Sequence, residues 1–186
     1  METYKMRIEG TSPLLMNRPN QLEISDKSKD VKRETRTPEQ QAEEKLYKDA
    51  LGKIYIPATW FQGTIVQGGK CKKRGGAGSS KANYSGIAGS CVEVSPFEIV
   101  MGIQDWKVFS TLVVNPVTKG RSLCHRPMFD KWFVEFEVIL DEEQIESYVL
   151  KEIFDIAGKT VGVGDWRPAK KGRFGRFMVT LFEKKK

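Results

Sequence analysis

The sequence predicts an α+β chain whose strands frame two β-α-β halves of one antiparallel sheet. Three observations carry this expectation. Tyr4, Met6 and Ile8 alternate with Lys5, Arg7 and Glu9, the period-two pattern of a half-buried strand. Trp132, Val134, Phe136 and Val138 alternate with Phe133, Glu135, Glu137 and Ile139. Both of those faces are partly apolar, which predicts a central position in the sheet. Between Asp141 and Gly158 the residues Ile145, Val149, Ile153, Ile156 and Ala157 recur at the helical period, with Asp141 as the cap.

The remaining elements follow in chain order. After a turn at residues 10–13 and the apolar patch Leu14, Leu15 and Met16, residues 17–36 are dominated by charge and predict an insertion or protruding hairpin. Thr37, Pro38 and Gln40 combine an N-cap hydroxyl, a first-turn proline and a capping-box amide. A helix is expected from there, burying Ala42, Leu46 and Ala50 and ending at Gly52. Lys53 to Ile56 predicts a short strand. Pro57 opens a second helix that carries Trp60, Phe61, Thr64 and Ile65 to the core and stops at Gly68 and Gly69. Residues 70–89 shift to Lys, Arg, Gly, Ser, Ala and Asn, which predicts a mobile basic loop inserted in the domain.

Val92 to Ile103 and Val108 to Asn115 predict strands around a turn at residues 102–106, and Pro116 to Arg126 predicts a further basic loop. Phe174 to Phe182 predicts the closing strand. This order matches a ferredoxin-like (RRM-like) sheet, with the strands at Tyr4, Trp132 and Phe174 as its frame. Residues 1–186 fit a single domain of this kind with insertions at 17–36 and 70–89.

Bulk composition narrows the function. Hydrophobic residues make up 39% of the chain and charged residues 30%, enough apolar surface for a core and too much for wholesale disorder. A formal net charge of +7 favours polyanionic partners, because phosphates neutralised by Lys and Arg release counterions. Cys71, Cys91 and Cys124 are widely spaced and form neither a disulfide framework nor a zinc pattern. Met1 to Gly10 shows no apolar signal region and no run suits a membrane span, so the expected compartment is the cytoplasm.

The strongest constellation lies between the last helix and the last strand. Gly162 and Gly164 can take positive φ and turn backbone N–H groups toward an anion. Trp166, Arg167, Lys170, Lys171, Arg173 and Arg176 follow them. Residues 165–186 hold eight Lys and Arg against two Asp and Glu. The glycines follow a helix and precede a strand, the reverse of a dinucleotide fingerprint. Lys70, Lys72, Lys73, Arg74 and Lys81 in the first basic loop, and Arg121 and Arg126 in the next, extend the candidate nucleic-acid contacts. Tyr84, Trp106, Phe129, Trp166 and Phe174 interleave with these charges as candidate base-stacking groups. Together they predict a site for single-stranded RNA or DNA built from scattered cationic turns that gather on one side of the sheet. His125 is the single histidine, and the serines and cysteines have no discernible triad partner, so no catalytic residue, metal or cofactor is expected.

Val161-Gly-Val-Gly-Asp-Trp-Arg-Pro, followed by Gly172-Arg-Phe-Gly-Arg-Phe before the last strand, resembles the C-terminal glycine-rich loop of the RAMP superfamily. That superfamily comprises ferredoxin-like proteins that include CRISPR effector backbone subunits. Ser12-Pro-Leu-Leu-Met after the first strand, and Ile56-Pro-Ala at the start of a helix with Gly63 inside it, are similar to the family's strand-edge and first-helix segments. The resemblance implies a noncatalytic subunit that assembles side by side along single-stranded nucleic acid as a homo-oligomer or filament, or a phage-encoded relative of such subunits. It makes residues 17–36 a projecting thumb and residues 70–89 a second inserted loop. The same fold also supports an endoribonuclease using Asp26, Asp30 or His125. A phage assembly protein with acidic protein partners is the third expectation.

Overall fold

The computed structural model of the chain describes residues 1–19, 36–75, 82–114 and 119–185. Helices and antiparallel sheets are mixed. β1 (Glu2–Gly10), β4 (Val92–Ser95), β8 (Phe133–Leu140) and β9 (Phe177–Lys184) form a four-stranded sheet in the order β4-β8-β1-β9. Every neighbouring pair in it is antiparallel, with Met6 opposite Phe136 on one side and Phe182 on the other. Strand alternation therefore sends Tyr4, Met6 and Ile8 to a buried face and Lys5, Arg7 and Glu9 to the opposite one.

Two helices cover the buried face. Phe61 of α2 (Ala58–Cys71) stacks on Phe136 with ring centroids 4.9 Å apart and meets Phe177 edge-on. Phe154 of α4 (Ser147–Thr160) reaches the same Phe136 at 6.4 Å. The two helices run in opposite directions. Midway along α2, Thr64 Oγ1 donates to the Gly162 carbonyl; one turn on, a Cβ on Gly68 would come within 2.7 Å of the Ala157 Cβ; beyond its end, Lys72 pairs with Glu152.

Beside this layer, β6 (Lys107–Val114) and β7 (Arg121–Phe129) form a hairpin, and β2 (Leu14–Leu15) adds to β7 through Leu14 opposite Phe129. β3 (Tyr55–Pro57) pairs with β5 (Glu98–Val100). The short helix α1 (Pro38–Glu43) packs near β7, and α3 (Ser85–Ser90) packs on α2. Among the described residues, no helix is long and apolar enough to cross a membrane.

Several elements differ from the sequence reading. α1 has the expected capping box, with Gln40 N–H on Thr37 Oγ1 and Thr37 N–H on Gln40 Oε1, yet it ends at Glu43 and leaves Ala50 exposed. The cause is local competition: the Asp49 carboxylate accepts from Leu51 and Lys53 N–H groups and closes a turn of its own. Gly68 and Gly69 do not stop α2. They sit inside it, where absent side chains let α4 and the Tyr84–Ser85 backbone approach. α4 begins at Ser147, because Asp141 closes a separate turn by accepting from Gln144 and Ile145 N–H with its carbonyl and from Glu143 N–H with its carboxylate. It runs through Gly158, which lies against the Phe177 carbonyl.

The largest correction concerns residues 92–129. The expected strand from Val92 to Ile103 is interrupted at Pro96, which has no N–H for a ladder. Its two halves pair with β8 and β3 instead of with residues 108–115. The partner of β6 is β7, so Arg121 and Arg126 stand on a strand rather than in a loop. Lys70 belongs to α2 and residues 85–90 to α3, so within the expected 70–89 loop the described non-helical residues narrow to 72–75 and 82–84. Most of the expected 17–36 insertion lies outside the described residues.

Candidate functional site

The segment from Val161 to Arg176 joins α4 to β9 as a strap folded on itself. Val163 N–H donates to the Gly175 carbonyl, Phe174 N–H to Trp166, and Gly172 N–H to Arg167, at 2.9, 3.1 and 3.0 Å. Two more bonds tie the strap to the chain after β1, from Asp165 N–H to Leu15 and from Gly175 N–H to Pro13. Gly162 and Gly164 take positive φ, +67° and +78°, as their sequence context suggests. The Gly162 amide is spent on the Ala157 carbonyl, and a Cβ on Gly164 would fall 2.6 Å from the Leu15 carbonyl. These two glycines thus serve close backbone packing.

The strap exposes a different surface to solvent. Pro13, Phe109, Trp166, Lys170, Lys171, Gly172, Arg173 and Phe174 line a concavity of about 660 Å³. Trp166 and Phe174 lie nearly parallel, 21° apart in plane with centroids separated by 6.4 Å. Phe109 of β6 stands edge-on to both, at 6.3 and 5.4 Å. Trp166 holds φ at +48°, a costly conformation for an indole residue, and its N–H is fixed by the Asp165 carboxylate. Lys170, Lys171 and Arg173 surround the rings, and none has an acidic partner among the described residues. An aromatic-lined concavity rimmed by cations with no acidic partner among the described residues suits a planar ring that carries an anionic group.

The other expected site residues are distributed unevenly. Arg126 reaches the strap from β7, where its Nε lies 2.8 Å from Asp165 Oδ2 and its guanidinium sits 5.9 Å from the Trp166 ring. Arg167 donates to the Gly164 carbonyl, and Arg176 to the Lys159 carbonyl at the end of α4. Arg121 is exposed near the far end of the hairpin. Lys70, Lys72, Lys73 and Arg74 lie at the opposite end of α2 from Trp60, the residue that borders Gly164. Roughly 18 Å of helix separates the two groups at 1.5 Å per residue. Lys72 is paired with Glu152, and Lys81 lies outside the described residues.

The expected stacking aromatics also divide. Phe129 is fully buried, Tyr84 and Trp106 pack against the core, and Phe174 lines the concavity while itself only 7% exposed, which leaves the half-buried Trp166 as the more accessible of the expected rings. Phe109, Pro13 and Asp165 are not among the expected contact residues, although Pro13 and Asp165 lie inside the motifs that carry the family resemblance. Phe109 lies on a strand assigned to a different hairpin, and Asp165 is the single acid in a cationic segment. His125 Nδ1 is 2.7 Å from Ser110 Oγ across the hairpin. Asp26 and Asp30 lie outside the described residues. Among the described residues, no cluster of His, Cys, Asp and Glu could hold a metal ion.

Charge on the open face of the main sheet is of the other kind. Arg7 bridges Glu9 and Glu135, Lys5 meets Glu135, and Lys185 meets Glu137. The Arg7 hydrogen bond is the main cause that holds the Glu135 carboxyl below its ordinary value. The Arg7 guanidinium also lies 4.2 Å above the Phe133 ring. In comparison with known proteins, no family model matches this chain and no curated protein matches it.

Proposed function

We propose that the chain is a noncatalytic subunit that binds single-stranded RNA or DNA at the strap between α4 and β9, with copies assembling side by side along the strand. The observation that carries this reading is the concavity of Phe109, Trp166 and Phe174 rimmed by Lys170, Lys171 and Arg173. An unpaired base can lie on the rings while the flanking phosphates meet the cations, whereas a duplex keeps its bases stacked inside. The strand order β4-β8-β1-β9, with α2 and α4 on one face, supports a ferredoxin-like plan in which β1-α2-β4 and β8-α4-β9 are the two halves. In that plan the strap occupies the position of the glycine-rich loop of RAMP proteins, which is the basis for a RAMP-type assignment.

The test is a titration of fluorescent single- and double-stranded oligonucleotides across a salt series. Three unpaired cations predict a slope of log Kobs against log[salt] of about −2 for single strands, at roughly −0.7 per phosphate neutralised. Trp166→Ala is expected to weaken binding roughly 5- to 150-fold, the equivalent of one stacked base. Replacement of Lys170, Lys171 and Arg173 by Gln is expected to flatten the slope nearly to zero. Binding that ignores salt, or equal affinity for duplex, overturns the proposal.

A further inference from the structure

The strap holds Arg167, Lys170, Lys171, Arg173 and Arg176 and a single acid, Asp165. Asp165 is not on the rim. Its Oδ1 accepts the Trp166 N–H, and its Oδ2 lies 2.8 Å from Arg126 Nε, with the two side chains 26% and 12% exposed. The contact compensates charge without satisfying the donors. Arg126 Nε and Nη1, Asp165 Oδ2 and Arg167 Nε are all buried with no directed hydrogen bond. Arginine and carboxylate ordinarily meet as a two-bonded fork, and buried polar atoms ordinarily find partners, so three unsatisfied atoms at the one Arg126–Asp165 contact mark a site adapted to something other than this pairing.

A phosphate group has the missing features. It carries negative charge as the carboxylate does, and it offers several oxygens to Nε and Nη1 together. We infer that Asp165 is an internal stand-in for a strand phosphate: it neutralises Arg126 in the free protein and yields it when nucleic acid arrives. This rests on the function proposed above and adds a residue that sets affinity and selectivity. The carboxylate keeps a buried guanidinium from standing uncompensated, and only a ligand anchored at several points can displace it. Arg126 lines a neighbouring concavity with Asn17, Glu44, Lys45 and His125 rather than the one under Lys170, Lys171 and Arg173, and the Trp166 ring, 5.9 Å from its guanidinium, stands between the two. Small free anions therefore compete poorly, while a strand stacked on Trp166 and bound by the three rim cations brings its next phosphate across to Arg126 at high local concentration.

The experiment compares Asp165→Asn with the wild type on fluorescent single-stranded 15-mers of thymidine and uridine. Asp130→Asn is the control, since it removes the same charge from an exposed pair with Lys107. Asp165→Asn is expected to bind roughly tenfold tighter at 0.1 M salt, with a slope steeper by about 0.7, equivalent to one more phosphate neutralised. Asp130→Asn is expected to change neither. Adding Arg126→Gln should erase the gain, and Asp165→Glu, which keeps the charge, should restore the wild-type slope. An Asp165→Asn protein that is folded by circular dichroism and binds no tighter than wild type overturns the inference. A failure of the wild type to bind any oligonucleotide sinks the proposed function instead. The inference is then read from the Arg126 Nε–H signal in ¹⁵N spectra with added tripolyphosphate: a shift in Asp165→Asn but not in wild type supports it, and no shift in either overturns it.

Discussion

Gly175→Ala probes whether the strap's glycines serve packing or ligand contact. Gly175 sits at φ +67°, where a side chain costs about 1–2 kcal/mol. A Cβ there would overlap the Val163 carbonyl, so the strap must open. Opening endangers the 2.9 Å bond from Val163 N–H to the Gly175 carbonyl and the 2.8 Å bond from Gly175 N–H to Pro13, each worth about 1 kcal/mol. The combined loss is about 3–4 kcal/mol, which lowers Tm on the order of 10 °C for a chain of this size. Gly63→Ala is the matched control. Gly63 is exposed in mid-α2 with nothing within 4 Å of its Cβ position, so alanine should raise stability by about 0.5–1 kcal/mol. Thermal unfolding followed by circular dichroism reads both variants. A Gly175→Ala protein with wild-type Tm but lost oligonucleotide binding would refute the packing argument and return the glycine to ligand contact.

Three further outcomes follow from the same geometry. Replacing Lys70, Lys73 and Arg74 by Gln, at the far end of α2, should leave affinity for a short oligonucleotide unchanged apart from the general loss due to lower net charge, measured by fluorescence anisotropy. Glu135 is held below its ordinary value of 4.5, first by its hydrogen bond from Arg7 and then by Lys5. Its stabilising contribution is complete above that value and lost as pH falls through the depressed one, so Glu135→Gln should be less stable at pH 7 and converge with wild type in acid-unfolding curves. Phe61→Ala removes a fully buried ring stacked on Phe136 and should cost about 3–5 kcal/mol in denaturant unfolding.

The frame of the fold was legible because β1, β8 and β9 alternate cleanly and α4 keeps a strong apolar face, and those patterns report burial directly. The hairpin was not. In Lys107–Val114 and in residues 121–126 of its partner no residue is buried on either face, so period-two contrast is weak, and no local signal states which strand a segment pairs with. Helix ends failed for another reason. Asp49 and Asp141 look like parts of longer helices in sequence, but each closes a turn of its own, while Gly68 and Gly158 look like stops and are contact points between elements. At the site, Trp166 and the strap cations were legible from composition. Phe109 and Arg126 come from the misassigned hairpin, so their convergence on Trp166 depends on pairing that the sequence does not display.

The proposal that nucleic acid binds at the strap rather than on the sheet rests on a physical argument that can be tested alone. RRM-type sheets stack bases on aromatics that project from their open face. Here the open face carries Phe133, and that ring is already covered, with the Arg7 guanidinium 4.2 Å from its centroid and Gly102 packed against its edge. Arg7 is in turn held by Glu9 and Glu135 at 2.9 Å each, and Lys185 is held by Glu137. A base could reach Phe133 only by breaking these pairs, and Glu93 and Glu183 on the flanking strands would meet its phosphates with like charge. Phe133→Ala should therefore leave single-strand affinity unchanged while Trp166→Ala weakens it. Equal losses from the two variants, both folded, would move the binding surface onto the sheet.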